Sequence, residues 1–214
     1  MSPASPASQP VDRPPLAPRR TEHSEAILAA ANRLVQEVGE DFTTQQLIKE
    51  AGVALQTFYR TYGGKDQLLL AVISDLIAGH CRQLADAGRT FEDPVERLHF
   101  YITATAEAVA VADSASARFL TSQHWRLHQE YPSEVAVATR PYTDLVMSAL
   151  AEGRVTGQLA PRNVERDAWL ITKLVMGVFH HYAYVRDDPD ALTIAEDLWQ
   201  FCVAAVGGSP GSLD

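Results

Sequence analysis

After residue 20, apolar residues recur with a helical period through almost the whole chain. Ile27, Leu28, Ala31, Leu34, Val35 and Val38 fall at i, i+3/i+4 and i+7, and Gly39 stops the run, which predicts a first helix. Thr43 opens a short second segment as its N-cap, because its hydroxyl can accept from an orphan backbone N–H. Leu47, Ile48 and Ala51 form the apolar face of that segment and Gly52 ends it. A third segment, Leu55 to about Thr61, is just as short, and Gly63-Gly64 then breaks the chain before a long helix from Lys65 to about Ala87. Five more helices follow at roughly 94–111, 114–129, 133–152, 163–186 and 190–206, punctuated by Pro94, Asp113-Ser114, Pro132-Ser133, Pro161 and Asp188-Pro189. No stretch alternates with period two for long enough to make a sheet, and no internal repeat has a solenoid period. The pattern predicts an all-α fold of about nine helices, three in a small N-terminal head and six in a larger body.

Composition adds a tail to this picture. Residues 1–20 hold six of the twelve prolines, with Ala and Ser between them, and such a segment cannot bury enough apolar surface to order itself. Its Arg13, Arg19 and Arg20 suit either a solubilising extension or an arm that enters a DNA minor groove. The expected organisation is therefore a disordered tail over 1–20, a head over 21–65 and a body over 66–214. Residues 1–65 carry seven Lys/Arg against seven Asp/Glu, so the net charge of −9 falls wholly on the body. An acidic chain of this kind is a poor non-specific polyanion binder, yet docking of a small neutral head depends only on local charge. The apolar share of 46% and charged share of 21% exclude a wholly disordered or fibrous chain. Two cysteines, Cys81 and Cys202, cannot build a disulfide scaffold or a Cys-rich zinc module. No apolar run reaches the roughly 18 uninterrupted residues of a membrane span, and the N-terminus lacks a basic region followed by an apolar one. A cytoplasmic protein without a membrane partner is expected.

The stretch of about 42–62 is a helix-turn-helix: two short helices joined by the tight turn Gly52-Val53-Ala54, in which Gly52 supplies the φ > 0 conformation. Val53 and Phe58 look inward, leaving Leu55, Gln56, Thr57, Tyr59 and Arg60 on the outer face, where a recognition helix meets the major groove. The segment Phe42 to Leu68, FTTQQLIKEAGVALQTFYRTYGGKDQL, resembles the DNA-binding signature of the tetracycline-repressor (TetR) family of transcriptional regulators. The matching features are Thr43-Thr44, Leu47, Ala51-Gly52-Val53, Thr57-Phe58-Tyr59, an aromatic at Tyr62, and Lys65-Asp66 opening the next helix. The resemblance implies that Thr44 and Gln45 meet phosphate or groove edges, that Gln56, Thr57 and Arg60 face base edges, that Tyr59 donates to a phosphate and that Lys65 anchors the opposite backbone; Thr43, Leu55 and Thr61 complete the expected DNA-binding set. Gln and Arg offer the bidentate geometries that read adenine and guanine, whereas Thr, Tyr and Lys mostly position. Three departures bear on the operator sequence. Ala54 stands where the family has a Ser cap, Gln56 replaces a common Gly, and Leu55 is apolar where relatives are polar.

Other constellations are weaker. Gly63-Gly64-Lys65 lacks the first Gly and the following Ser/Thr of a phosphate loop, and it follows a helix. His124 and His128 lie four apart on one helical face, the spacing of a paired metal site, but no Glu follows His124. An all-α metal-binding protein or enzyme built on them is the alternative to a regulator. His180-His181 are adjacent and so face different sides of a helix. With no Gly-x-Ser-x-Gly elbow and no activating partner for either cysteine, neither a catalytic site nor a cofactor is expected.

The body carries two further expectations. Phe100, Phe119, Trp125, Tyr142, Met147 and Phe179, with His124 and Arg126 as polar fixers, are candidate lining for an apolar effector pocket. In the last two helices Trp169, Leu170, Leu174, Gly177, Val178 and His181, then Ile194, Leu198, Phe201 and Ala205, recur along one face each. Periodicity alone says that these are buried; the family resemblance implies that they pair with their copies as a four-helix dimer interface. The expected partners are thus a double-stranded DNA operator, a small-molecule effector and a second copy of the chain.

Overall fold

The computed structural model describes residues 21–111, 114–185 and 193–208. The proline-rich tail with its three arginines, and the Asp113 and Asp188-Pro189 breakers, lie outside the described residues. Among the described residues there are helices and turns and no strand: α1 (Glu22–Val38), α2 (Thr44–Ala51), α3 (Leu55–Tyr62), α4 (Lys65–Gly88), α5 (Pro94–Val111), α6 (Ser114–Glu130), α7 (Pro132–Thr156), α8 (Val164–Tyr182) and α9 (Ile194–Ala205).

Local chemistry explains the boundaries. Thr21 caps α1 by accepting from the Ser24 amide, and Thr43 caps α2 by accepting from that of Gln46, each in a reciprocal capping box. Gly52 closes α2 in the left-handed region at φ 64°, a conformation costly for any residue with a Cβ. Two expected ends move. Helix α7 continues four residues past 152, to Thr156, because the αL stop is Gly157 at φ 77°. Helix α8 ends at Tyr182 and not 186, since the amides of Tyr184 and Val185 both turn back onto the His181 carbonyl.

Two cores hold the helices together. One gathers Ile27, Leu34 and Val35 of α1, Leu47 of α2, Phe58 and Tyr62 of α3 and Leu68 to Ile73 of α4, and extends to Phe119 and Leu127 of α6 and Val135 and Ala138 of α7. The core of the head is therefore not closed at Lys65. The other joins Cys81 and Leu84 of α4 with α5, α7, α8 and α9, around Leu98, Ile102, Leu150, Trp199 and Val203. Helix α4 serves both. By length and composition it is also apolar enough to cross a membrane, but its Leu68-to-Ile73 and Cys81–Leu84 stretches are spent on these cores. At Gly88 and Gly153 the backbone is approached so closely, by the Tyr101 ring and the Leu159 side chain, that a Cβ would lie within 2.6 and 2.5 Å of them.

Candidate nucleic-acid interface and effector cavity

The turn of the helix-turn-helix is built from backbone. The Gly52 amide reaches the Ile48 and Lys49 carbonyls and the Val53 amide bonds Ile48 O at 3.1 Å, which satisfies the orphan carbonyls at the end of α2. Helix α3 starts at Ala54 without a side-chain cap. Phe58 is buried at 1% exposure and the Tyr62 hydroxyl donates to the Ser24 carbonyl at 3.0 Å, so one side of α3 is locked to α1. The opposite side carries Leu55, Gln56, Tyr59 and Arg60, all exposed, with Tyr59 at 51%.

The remaining residues expected to meet DNA are placed differently. Thr43 spends its hydroxyl inside the capping box, donating to Gln46 Oε1 at 3.0 Å while accepting from the Gln46 amide at 3.1 Å. Thr44 is half-buried and Gln45 exposed in the first turn of α2. Thr57 and Thr61 are half-buried, and the Thr61 hydroxyl donates back to the Thr57 carbonyl at 2.7 Å, which leaves only its acceptor lone pairs for a partner. Lys65 Nζ donates to the Phe42 carbonyl at 2.8 Å and sits 4.6 Å from the centroid of the Phe42 ring. That clasp ties the start of α4 to the entry of α2, and nothing in the spacing of residues announced it.

An apolar cavity of about 170 Å³ lies in the body. Its α4 wall is Ile73, Leu76, Ile77, His80 and Cys81; Thr105 and Ala108 come from α5, Leu120 and His124 from α6, Tyr142 from α7, and Met176, Phe179 and His180 from α8. Of the expected lining, His124, Tyr142 and Phe179 are there. The other five stand elsewhere, each for a visible reason. Phe119 is packed into the core of the head and Phe100 lies against Phe91 and Tyr101. Trp125 points outward at 58% exposure, and Met147 lines a separate groove with Trp169 and Lys173. Arg126 reaches Asp66 at 2.7 Å and Gln123 at 2.9 Å, so it links the cavity helix α6 to the first turn of α4. The lining that sequence reading missed had a signal: residues 73, 76, 77, 80 and 81 form one helical stripe, with histidine and cysteine in an apolar series.

Histidines give the cavity its polarity. The His124 and His180 rings stand 5.0 Å apart, centroid to centroid, and the His80 Nε2 lies 3.2 Å from Thr105 Oγ1. Burial, joined for His124 by the charges of His180, Lys173 and His128, holds its pKa down at about 4. Burial and then Lys173 do the same for His180. Both rings are therefore neutral at physiological pH. The His128 ring stacks 6.0 Å from that of His124 but is exposed, and among the described residues no three His, Cys, Asp or Glu side chains are disposed to hold a metal ion. Burial pushes both thiols up to about 11, far from a nucleophile's range.

The outer faces of α8 and α9 form a third feature. Trp169, Leu170, Leu174 and Phe201 are exposed large hydrophobics, Phe201 at 63%, and Gly177, His181 and Ala205 are exposed beside them. Val178 and Ile194 are half-buried. Leu198, expected on this face, turns inward at 7% exposure next to Trp199. His180 is buried and His181 exposed, as their adjacency on one helix requires.

The structure thus sets a helix-turn-helix with a polar exposed face on a helical body with its own cavity. Residues 27–72 match the model of the bacterial regulatory proteins of the tetR family. The HTH-type transcriptional regulator BetI of Brucella canis is 25% identical over 190 residues, covering 88% of this chain and 93% of that protein. BetI of Brucella anthropi is 29% identical over 180 residues, 81% of this chain and 89% of its own. Among solved structures, FadR of Bacillus subtilis in complex with stearoyl-CoA superposes with a TM-score of 0.69 at 16% identity, covering 85% of this chain and 98% of that one. RolR in complex with resorcinol gives 0.66 at 15% identity, covering 87% and 90%. Residues 27–72 are thus similar to the DNA-binding domain of the tetR family, and most of the chain is similar to HTH-type transcriptional regulators.

Proposed function

We propose that this protein is a cytoplasmic, homodimeric repressor that holds a palindromic operator and releases it when a small lipophilic molecule enters the body. The observation that carries the reading is that one helix, α4, begins at the reading head and walls the apolar cavity with its middle turns. In this reading residues 21–65 act as the head and 66–214 as the effector and dimerisation body. Leu55, Gln56 and Arg60 read base edges. Thr44, Gln45, Thr57 and Tyr59 position the head on phosphates, and Lys65 sets the entry of α2 through Phe42. The exposed stripe from Trp169 to Phe201 supports the dimer, because a contiguous apolar face of this kind is costly to leave in water. A two-fold dimer presents two recognition helices to half-sites related by the same axis. Stearoyl-CoA and resorcinol, named with two structural neighbours, support a small-molecule effector. That effector acts only as far as it binds the DNA-incompetent state more tightly than the competent one. No catalytic step is assigned.

The test is a fluorescence-anisotropy titration against DNA flanking the protein's own gene, at two salt concentrations, with an unrelated duplex as control. Tight, steeply salt-dependent binding to the flanking DNA alone is expected. Arg60→Ala and Gln56→Ala should relax specificity, at about 1–3 kcal/mol per lost base contact. Tyr59→Phe and Lys65→Ala should weaken binding to every sequence. If all four variants bind like the parent, or if selection from random DNA by ligand-stripped protein also fails, the reading is wrong.

A further inference from the structure

The repressor reading gives the cavity an occupant, and the cavity's own chemistry narrows what that occupant is. Nδ1 and Nε2 of His124 and Nε2 of His180 are buried without a hydrogen-bond partner, on rings that both wall the cavity. Both residues are more than nine-tenths buried, His124 at 8% and His180 at 9% exposure. Native proteins seldom leave buried polar atoms unsatisfied, and a cluster of them on the wall of an apolar cavity marks a polar docking point for a guest.

The proton positions follow from neighbouring bonds. The Thr121 hydroxyl donates to the Ala117 carbonyl at 3.0 Å, one turn back in α6, so its oxygen is left as an acceptor. The His180 Nδ1, 3.0 Å away, must then be the protonated nitrogen, and in the neutral ring Nε2 keeps a lone pair. His124, equally neutral, has one N–H and one lone pair, both unused. The pair therefore asks for a group that donates to His180 and accepts from His124. A hydroxyl is the smallest group that does both. The nitrogens are covered now, and the broad, two-fold χ2 torsion of histidine lets the unpaired His124 ring turn towards a guest.

Size and charge complete the description. A cavity of about 170 Å³ is close to the roughly 150 Å³ apolar cavity that takes up benzene, so it fits one ring and not a long chain. Among the described residues no acidic side chain lines it, and Lys173 adds positive potential at both histidines, which disfavours a cationic guest. A carboxylate would need a protonated imidazole, the form that burial penalises. We propose that the cavity binds a neutral single-ring phenol, its hydroxyl bridging His180 Nε2 and an N–H of His124, with Ile77, Leu120 and Phe179 against the ring.

The proposal rests on the cavity being the effector site, and its test reads binding without DNA. The full chain is titrated by calorimetry with phenol, toluene, anisole, benzoate and benzyltrimethylammonium. Phenol should bind about tenfold more tightly than anisole, which cannot donate to His180, and more tightly still than toluene, which can make neither bond, and the ammonium should not bind. In His124→Leu the preference for phenol over toluene should fall by about tenfold, the one bond lost, while toluene still binds. Because the variant alters packing, the unmodified protein gives a second readout: the nitrogen-15 resonance of His180 Nε2 should move on adding phenol and not on adding toluene. Equal affinity for toluene and phenol, tighter binding of benzoate with proton uptake, or no binding by any of the five overturns the proposal. Operator affinity is measured on the same preparation. Intact DNA binding without phenol uptake sinks only the phenol, whereas phenol uptake that leaves the operator bound sinks only its role as effector.

Discussion

The head and the cavity wall treat buried polar atoms in opposite ways. In the head most are closed off: Tyr62 donates to Ser24 O and Lys65 finds the Phe42 carbonyl, Thr43 and Gln46 satisfy one another at the surface, and among the described residues there only Asn32 Oδ1 is buried without a partner. In the cavity wall His124 and His180 keep unpaired nitrogens. A finished core is indifferent to small molecules, while an unfinished one gains by admitting them. Under the proposed function the same contrast separates the part that holds its shape to read DNA from the part that has two states.

The contrast is broken most severely by emptying the head. Phe58→Ala removes a side chain at 1% exposure and should cost about 3–5 kcal/mol in urea unfolding, with operator binding lost for all sequences.

Acid attacks the other side. The folded pKa of His124 and of His180 is about 4 and that of the unfolded residue is 6.5. Between those values the unfolded chain binds protons that the folded one refuses, so stability is full above pH 6.5 and falls as the pH drops towards about 4. The slope approaches about 1.4 kcal/mol per pH unit for each ring. Denaturation midpoints at pH 7, 6 and 5 check this, and His124→Phe should lessen the fall.

Two conservative changes sharpen the comparison by differing in sign. Tyr62→Phe removes the hydroxyl's bond to the Ser24 carbonyl, which keeps its place in the α1 ladder, and should cost about 0.5–1.5 kcal/mol. His124→Phe removes two atoms that had no partner and should be neutral or stabilising by up to about 1 kcal/mol. Equal losses from both would show that the cavity wall is as closed as the head. The smallest effect is expected at the uncapped start of α3, where Ala54→Ser should add about 0.5–1 kcal/mol. Its urea midpoint should rise with operator affinity almost unchanged.

Legibility followed the locality of the physics. The helix-turn-helix register was readable because Thr43, Gly52 and Gly63-Gly64 impose their boundaries within a few residues of chain. The α8/α9 face was readable only as apolar. Periodicity put Leu198 and Phe201 in one class, and only packing against α5 sends the first inward and leaves the second in solvent. The cavity was least legible. Aromatic size says that Phe119 and Phe100 are buried but not which of two cores takes them, and the clasp of Lys65 on Phe42 joins residues 23 apart.

Helix α4 sets a gearing between inside and outside. From Ile77 on the cavity wall to Lys65 at the head is twelve residues, about 18 Å of helix at 1.5 Å each. Rocked by about 10° at Ile77, that arm carries Lys65 some 3 Å, roughly the 3.4 Å rise of one base pair. Under the proposed function, the helix is thus a lever arm long enough to turn a small tilt at the cavity wall into nearly one base-pair rise at the head.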